Sequence, residues 1–146
     1  MRKFVEIVLL CLMFFVALPL NVSAEDSQEA EKVEEFDWNP VMDAIIQVES
    51  KGNPNARCGV WCGVLQISPA LVKECNNILR FRSDAKRFKL SDRFNVEKSK
   101  EMFVVIQSHY NPENNVEKAI RMWNGGIGYS VRKTQRYYER VKNLIE

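Results

Sequence analysis

Histidine is almost absent from this 146-residue chain and cysteine is scarce: His109 stands alone beside four cysteines. None of them falls in the paired spacing of a zinc site, and His109 lies far in sequence from the cysteines. Nothing beyond their presence supports a Cys–His nucleophile either. No metal or cofactor is expected. Internal repeats are lacking, which excludes solenoids and propellers. With six glycines and five prolines, no Gly/Ser- or Pro-rich linker divides the chain. Sustained apolar–polar alternation is missing as well, so a β-sandwich or barrel is excluded.

The one long apolar run lies at the start. Arg2 and Lys3 precede Ile7–Leu20, and Val22-Ser23-Ala24 fits a small-residue cleavage site. Residues 1–24 therefore read as an export signal, and the protein as periplasmic or secreted with no stable membrane span after cleavage. An uncleaved anchor is the alternative. Residues 25–37 follow as an acidic flexible spacer, with seven carboxylates against Lys32 and little apolar surface to offset ordering. From Trp38 onward the balance reverses, to 18 Lys and Arg against 11 Asp and Glu. A basic exported domain suits an anionic polymer such as cell-wall glycan, and an exported chain rarely meets nucleic acid.

Residues 38–146 are long enough for one domain with a modest core. The apolar periodicity predicts about five helices. Asn39-Pro40 opens the first, which ends near Glu49-Ser50 because Gly52 and Asn53-Pro54 cannot continue it. Ser68-Pro69 opens the second, to about Leu79. The basic stretch 81–94 is expected to be surface loop. Asn95 opens a third helix to Tyr110, Val116–Trp123 forms a fourth, and Ser130 to about Leu144 a fifth. A small strand pair is allowed near residues 56–66. The expected fold is mainly α.

The stretch Val41–Pro69 carries the chemistry. Val41, Ala44, Ile45 and Val48 mark one apolar face, and Glu49 closes that helix. A carboxylate there meets the negative end of the helix dipole and apolar neighbours, and both favour the protonated acid. Such an acid can protonate a leaving oxygen near neutral pH. On helix grammar alone, a solvated glutamate at a frayed end is the commoner outcome.

Glu49-Ser50, Asn53-Pro54, Ala56, Gly63-Val64-Leu65-Gln66-Ile67 and Pro69 resemble the first signature of soluble lytic transglycosylases, in the goose-lysozyme-like branch of the lysozyme superfamily. The loop before Gly63 is one residue shorter, and Val60-Trp61 stand where Gly-Ala is usual. Ala119 with Trp123-Asn124-Gly125-Gly126 is similar to the second signature, and Thr134, Tyr137 and Val141 to the third. Asp92 and Asn95-Val96 resemble the segment before the long third helix.

The resemblance implies a lysozyme-like domain that cleaves the MurNAc–GlcNAc bond of peptidoglycan and leaves 1,6-anhydromuramyl ends. It implies Glu49 as sole acid and base, Tyr137 holding that acid, and Ser50, Gln66, Trp123 and Asn124 around the sugar. A two-carboxylate glycosidase needs a partner about 5–9.5 Å away. The signatures supply none: Asp43 lies away from the Glu49 end, and Asp84 and Asp92 fall in the basic loop. The alternatives are a hydrolytic muramidase of the same fold, or a non-catalytic peptidoglycan-binding module of a secretion or conjugation assembly. Once Cys11 is removed with the signal, Cys58, Cys62 and Cys75 remain. In an oxidising compartment one disulfide and one free thiol are expected, with the pairing open.

Overall fold

Side-chain oxygens open four of the helices. The computed structural model describes residues 36–145; the expected signal and nearly all of the spacer lie outside the described residues. These residues form five α-helices, α1 (Asn39–Glu49), α2 (Pro69–Phe81), α3 (Val96–Tyr110), α4 (Val116–Gly125) and α5 (Val131–Lys142), with one antiparallel pair, β1 (Arg57–Cys58) and β2 (Trp61–Cys62). The fold is mainly α with a small strand pair. Ser68, Asn95, Asn115 and Ser130 each accept from the backbone N–H three residues on, at 3.2, 2.9, 2.8 and 3.5 Å. Each satisfies an amide that the helix itself leaves unpaired.

The start of α1 differs from expectation. Asn39 is already helical and caps nothing; Asp37 Oδ1 accepts from its backbone N–H at 2.9 Å and its side-chain amide at 2.8 Å. The ring of Trp38 is buried at this entry.

Stretch 81–94 is more than surface loop. Leu90–Phe94 forms a 3-10 helix, and both Phe88 and Arg93 are buried. Asn76 on α2 holds Phe88 by two hydrogen bonds, to its carbonyl at 2.9 Å and from its N–H at 2.8 Å. The Arg93 guanidinium donates to the carbonyls of Val60 at 3.0 Å and Ile67 at 3.3 Å, and its Nε to Leu90 at 2.8 Å. Val60 lies in the turn outside the strand ladder, and Arg93 supplies a donor to its carbonyl; Ile67 O accepts from Cys62 N–H as well, at 3.2 Å.

Phe103 on α3 is fully buried at the centre of the core. It meets Trp38 edge-on at 5.6 Å and Trp123 at 4.9 Å between ring centroids. Ile45 from α1, Leu65 and Ile67 from the hairpin loop, and Ile120 from α4 close around it. Truncating such a fully buried aromatic costs about 3–5 kcal/mol. Helix α1 packs on α4 and α5, and α2 on α3. The C-terminal end of α1 is thereby brought against α5, where Tyr137 stands. Among the described residues no helix is long and apolar enough to cross a membrane.

Candidate active site

Glu49 is the last residue of α1, half-buried, and Tyr137 Oη on α5 donates to its Oε1 at 2.7 Å. Burial raises the Glu49 pKa above 4.5, outweighing the Tyr137 hydrogen bond and the charge of Arg140, which both lower it. The negative end of the α1 dipole acts in the same direction as burial. Tyr137 is itself held protonated, by burial first and then by the adjacent carboxylate. It is therefore a permanent donor to Glu49 in either charge state. Such a carboxyl can give up a proton and later recover one without losing its orientation.

Ser50 does not face a ligand through its hydroxyl. Its Oγ donates to Val64 O at 2.8 Å and to Ile46 O at 3.2 Å, tying the end of α1 to the hairpin loop. Its role is to position the residue before it. Gly63 explains why the loop passes so close: a Cβ there would lie 1.7 Å from the Arg93 carbonyl oxygen, and its φ is +77°. Only glycine satisfies both demands. Three residues on, Gln66 adopts φ +48°, an uncommon value for a side chain of this kind. Its backbone N–H and its Nε2 both donate to Gly63 O, at 3.1 and 2.9 Å. The strained turn presents Gln66 to the cleft.

The second and third signatures meet through packing. A Cβ on Gly125 would come within 2.8 Å of Thr134 Cγ2 and 2.7 Å of Tyr129 Cβ. Arg121, buried, donates to Thr134 Oγ1 at 3.2 Å, to Val131 O at 3.0 Å and to Gln135 at 2.8 Å. Its guanidinium also lies 4.3 Å from the centroid of Tyr138, which is half-buried like Tyr137. This junction sets the angle of α5 and so places the Tyr137 hydroxyl. Trp123 Nε1 donates to Leu65 O at 3.2 Å, leaving part of its ring exposed.

Glu49, Gln66, Trp123 and Asn124 all line one cleft of about 880 Å³, within the range of about 300–1,000 Å³ usual for ligand sites. Of the expected site residues, Tyr137 reaches this cleft through Glu49, and Ser50 supports it from behind. The cleft also holds a second carboxylate, Glu74 of α2, which none of the signatures includes. Tyr110 Oη donates to its Oε1 at 2.5 Å and Asn77 Nδ2 to its Oε2 at 3.1 Å. These two hydrogen bonds, Tyr110 first, hold the Glu74 pKa below 4.5, so it is ionised where Glu49 resists ionisation. Trp61, at the hairpin, lines the cleft as well.

The expected disulfide is not formed: Cys58, Cys62 and Cys75 are all free thiols. The strand register pairs Cys58 with Trp61 and Arg57 with Cys62, which sets the two hairpin cysteines on opposite faces. Cys58 lines the cleft, while Cys62 is buried with Arg57 Nη1 3.9 Å from its sulfur. Cys75 is sealed between α2 and α3, its Sγ donating to Met102 O at 3.5 Å, and burial pushes its thiol up to about 12. Among the described residues no three His, Cys, Asp or Glu side chains converge as metal ligands would.

Comparison with protein families, with curated proteins and with solved structures returns no match.

Proposed function

We propose that this protein is a peptidoglycan lytic transglycosylase whose catalytic residue is Glu49. The pairing of Glu49 with Tyr137, in a cleft with Gln66, Trp123 and Asn124, carries the reading. A carboxyl whose pKa burial raises, oriented by a fixed hydroxyl, suits leaving-group protonation. The basic balance of the domain suits an anionic glycan, and four of the cations, Arg132, Lys133, Arg136 and Arg140, are exposed on α5.

In this mechanism neutral Glu49 donates its proton to the glycosidic oxygen as the bond from that oxygen to the muramyl anomeric carbon breaks. Positive charge develops at the anomeric carbon. The muramyl 6-hydroxyl oxygen then bonds to that carbon, and the Glu49 carboxylate takes the hydroxyl proton. Tyr137 donates to the carboxylate throughout. Asn124 offers an amide to the N-acetyl group and Trp123 an apolar ring to the sugar. No water is consumed, and the product is a 1,6-anhydromuramyl end.

Glu74 favours a second reading. An ionised carboxylate in the same cleft is the group that a hydrolytic muramidase uses as base toward water. Its two oxygens already accept from Tyr110 and Asn77, which leaves it less free to take a proton. The transglycosylase remains the stronger reading.

The test is release of soluble muropeptides from purified sacculi. Wild-type protein releases them and Glu49→Gln does not. Equal release by both would remove Glu49 from the chemistry.

A further inference from the structure

Trp61 is half exposed, at 50 %, although tryptophan ranks among the side chains most readily taken out of water. It is the only one of the three tryptophans so placed, since Trp38 is buried and Trp123 half-buried. It is not exposed because its segment is loose. The hairpin tip is held by the Arg93 guanidinium on Val60 O at 3.0 Å, and its base by the same group on Ile67 O at 3.3 Å. Behind the loop, Gly63 lies so close to the Arg93 carbonyl that no side chain fits between them. A second cation, Arg57, stacks 4.3 Å from the Phe94 ring and fixes the other strand to the same 3-10 turn. The pairing of Cys58 with Trp61 puts both on the face that lines the cleft.

A second exposed apolar side chain lines that cleft from a different segment. Ile127, 61 % exposed, stands in the α4–α5 connection just beyond Asn124. The same cleft is lined by the amide side chains of Gln66 and Asn124. An exposed indole face on a fixed hairpin, beside polar hydrogen-bonding groups, is complementary to a pyranose, whose C–H faces are apolar and whose rim is polar. A lipid or apolar peptide would offer nothing to the Asn124 amide or to the Gln66 side-chain oxygen, whose Nε2 is already bonded to Gly63 O.

We propose that Trp61 is a glycan-stacking platform, with Ile127 completing the apolar wall, and that it binds a sugar of the same strand that Glu49 cleaves. The inference rests on the glycan reading of the cleft. Because the hairpin backbone that carries the ring is already held in place, little loop ordering opposes binding. The platform therefore acts on affinity and on KM, and leaves the proton-transfer step alone.

The experiment is a fluorescence titration with a peptide-free GlcNAc–MurNAc oligosaccharide, in the full chain carrying Glu49→Gln so that the ligand survives. Binding should shift the emission to shorter wavelength as Trp61 leaves water. Trp61→Ala in that background should reduce the shift to the part contributed by Trp123 and weaken binding, read by calorimetry, by about tenfold, the equivalent of ~1.4 kcal/mol. Trp61→Phe should fall between. In the active protein, Trp61→Ala should raise KM for sacculus digestion and leave kcat near its original value. Unchanged affinity in Trp61→Ala would overturn the platform and leave the glycan reading standing. Failure of the Glu49→Gln parent to bind the oligosaccharide at all would overturn both.

Discussion

Gly63→Ala should damage this protein well beyond the cost of a misplaced methyl group. Its Cβ would sit 1.7 Å from the Arg93 carbonyl oxygen and 2.8 Å from the carbonyl carbon, at φ +77°. The left-handed backbone alone costs a non-glycine residue about 1–2 kcal/mol. The clash is against backbone that cannot rotate away, so loop and 3-10 turn must separate by more than an ångström. Forced repacking of that kind adds about 1–3 kcal/mol. Gly52→Ala is the internal control, since φ there is +81° and nothing lies within 4 Å of its Cβ. It should lose only the backbone penalty. Urea denaturation of the two variants beside wild type measures the difference, expected at about 1–3 kcal/mol. Gly63→Ala should also lose activity where it is still folded, because Gln66 hangs on the Gly63 carbonyl by two hydrogen bonds. Equal destabilisation by the two substitutions would refute the close approach of hairpin and 3-10 turn.

Tyr137→Phe removes a hydrogen bond that favours ionised Glu49, so the basic limb of the pH–rate profile should move to higher pH while kcat falls. A limb moving to lower pH would contradict the pairing. Glu49→Gln should stabilise the fold at alkaline pH. The raised folded pKa means that the stability contributed by neutral Glu49 is fully present below 4.5 and lost as pH rises through the folded value. Denaturation midpoints of variant and wild type should therefore converge below 4.5 and diverge as pH rises above it. A thiol reagent should label Cys58 rapidly in the native protein and all three thiols after unfolding; one labelled thiol in the denatured, unreduced protein would restore the disulfide. Phe103→Ala should cost about 3–5 kcal/mol, read as a drop in urea midpoint.

The helices were legible because their ends are spelled locally. Ser68, Asn95 and Ser130 declare starts through oxygens that need only the next turn to act on, and Asn115 does the same though the sequence pattern marks that helix only from Val116. Glu49 at the end of α1 could be read the same way, from Gly52 and Asn53-Pro54. The pairing with Tyr137 could not: 88 residues separate the two, and only the resemblance named the tyrosine. Arg93 and Glu74 were missed for a common reason. Each sits among other charged or polar residues, Arg93 in a basic run and Glu74 between Lys73 and the Asn76-Asn77 pair. Arg93 is buried because its guanidinium reaches the Val60 carbonyl in the hairpin turn and adds a second donor to the Ile67 carbonyl, which already accepts from Cys62 N–H. Glu74 belongs to the cleft because α3 brings Tyr110 beside it from 36 residues away. Neither fact has a local signal. The disulfide expectation failed on geometry that cysteine counting does not contain: register sets Cys58 and Cys62 on opposite faces, and Cys75 is buried against Met102 on α3.

Mass spectrometry of muropeptides released from purified sacculi tests the central claim most directly. Glu49 acting alone, as acid and then as base, predicts ends carrying 1,6-anhydromuramic acid, one water lighter than reducing ends. Reducing ends as the main product would contradict it and favour the hydrolytic reading; binding without release would contradict catalysis altogether.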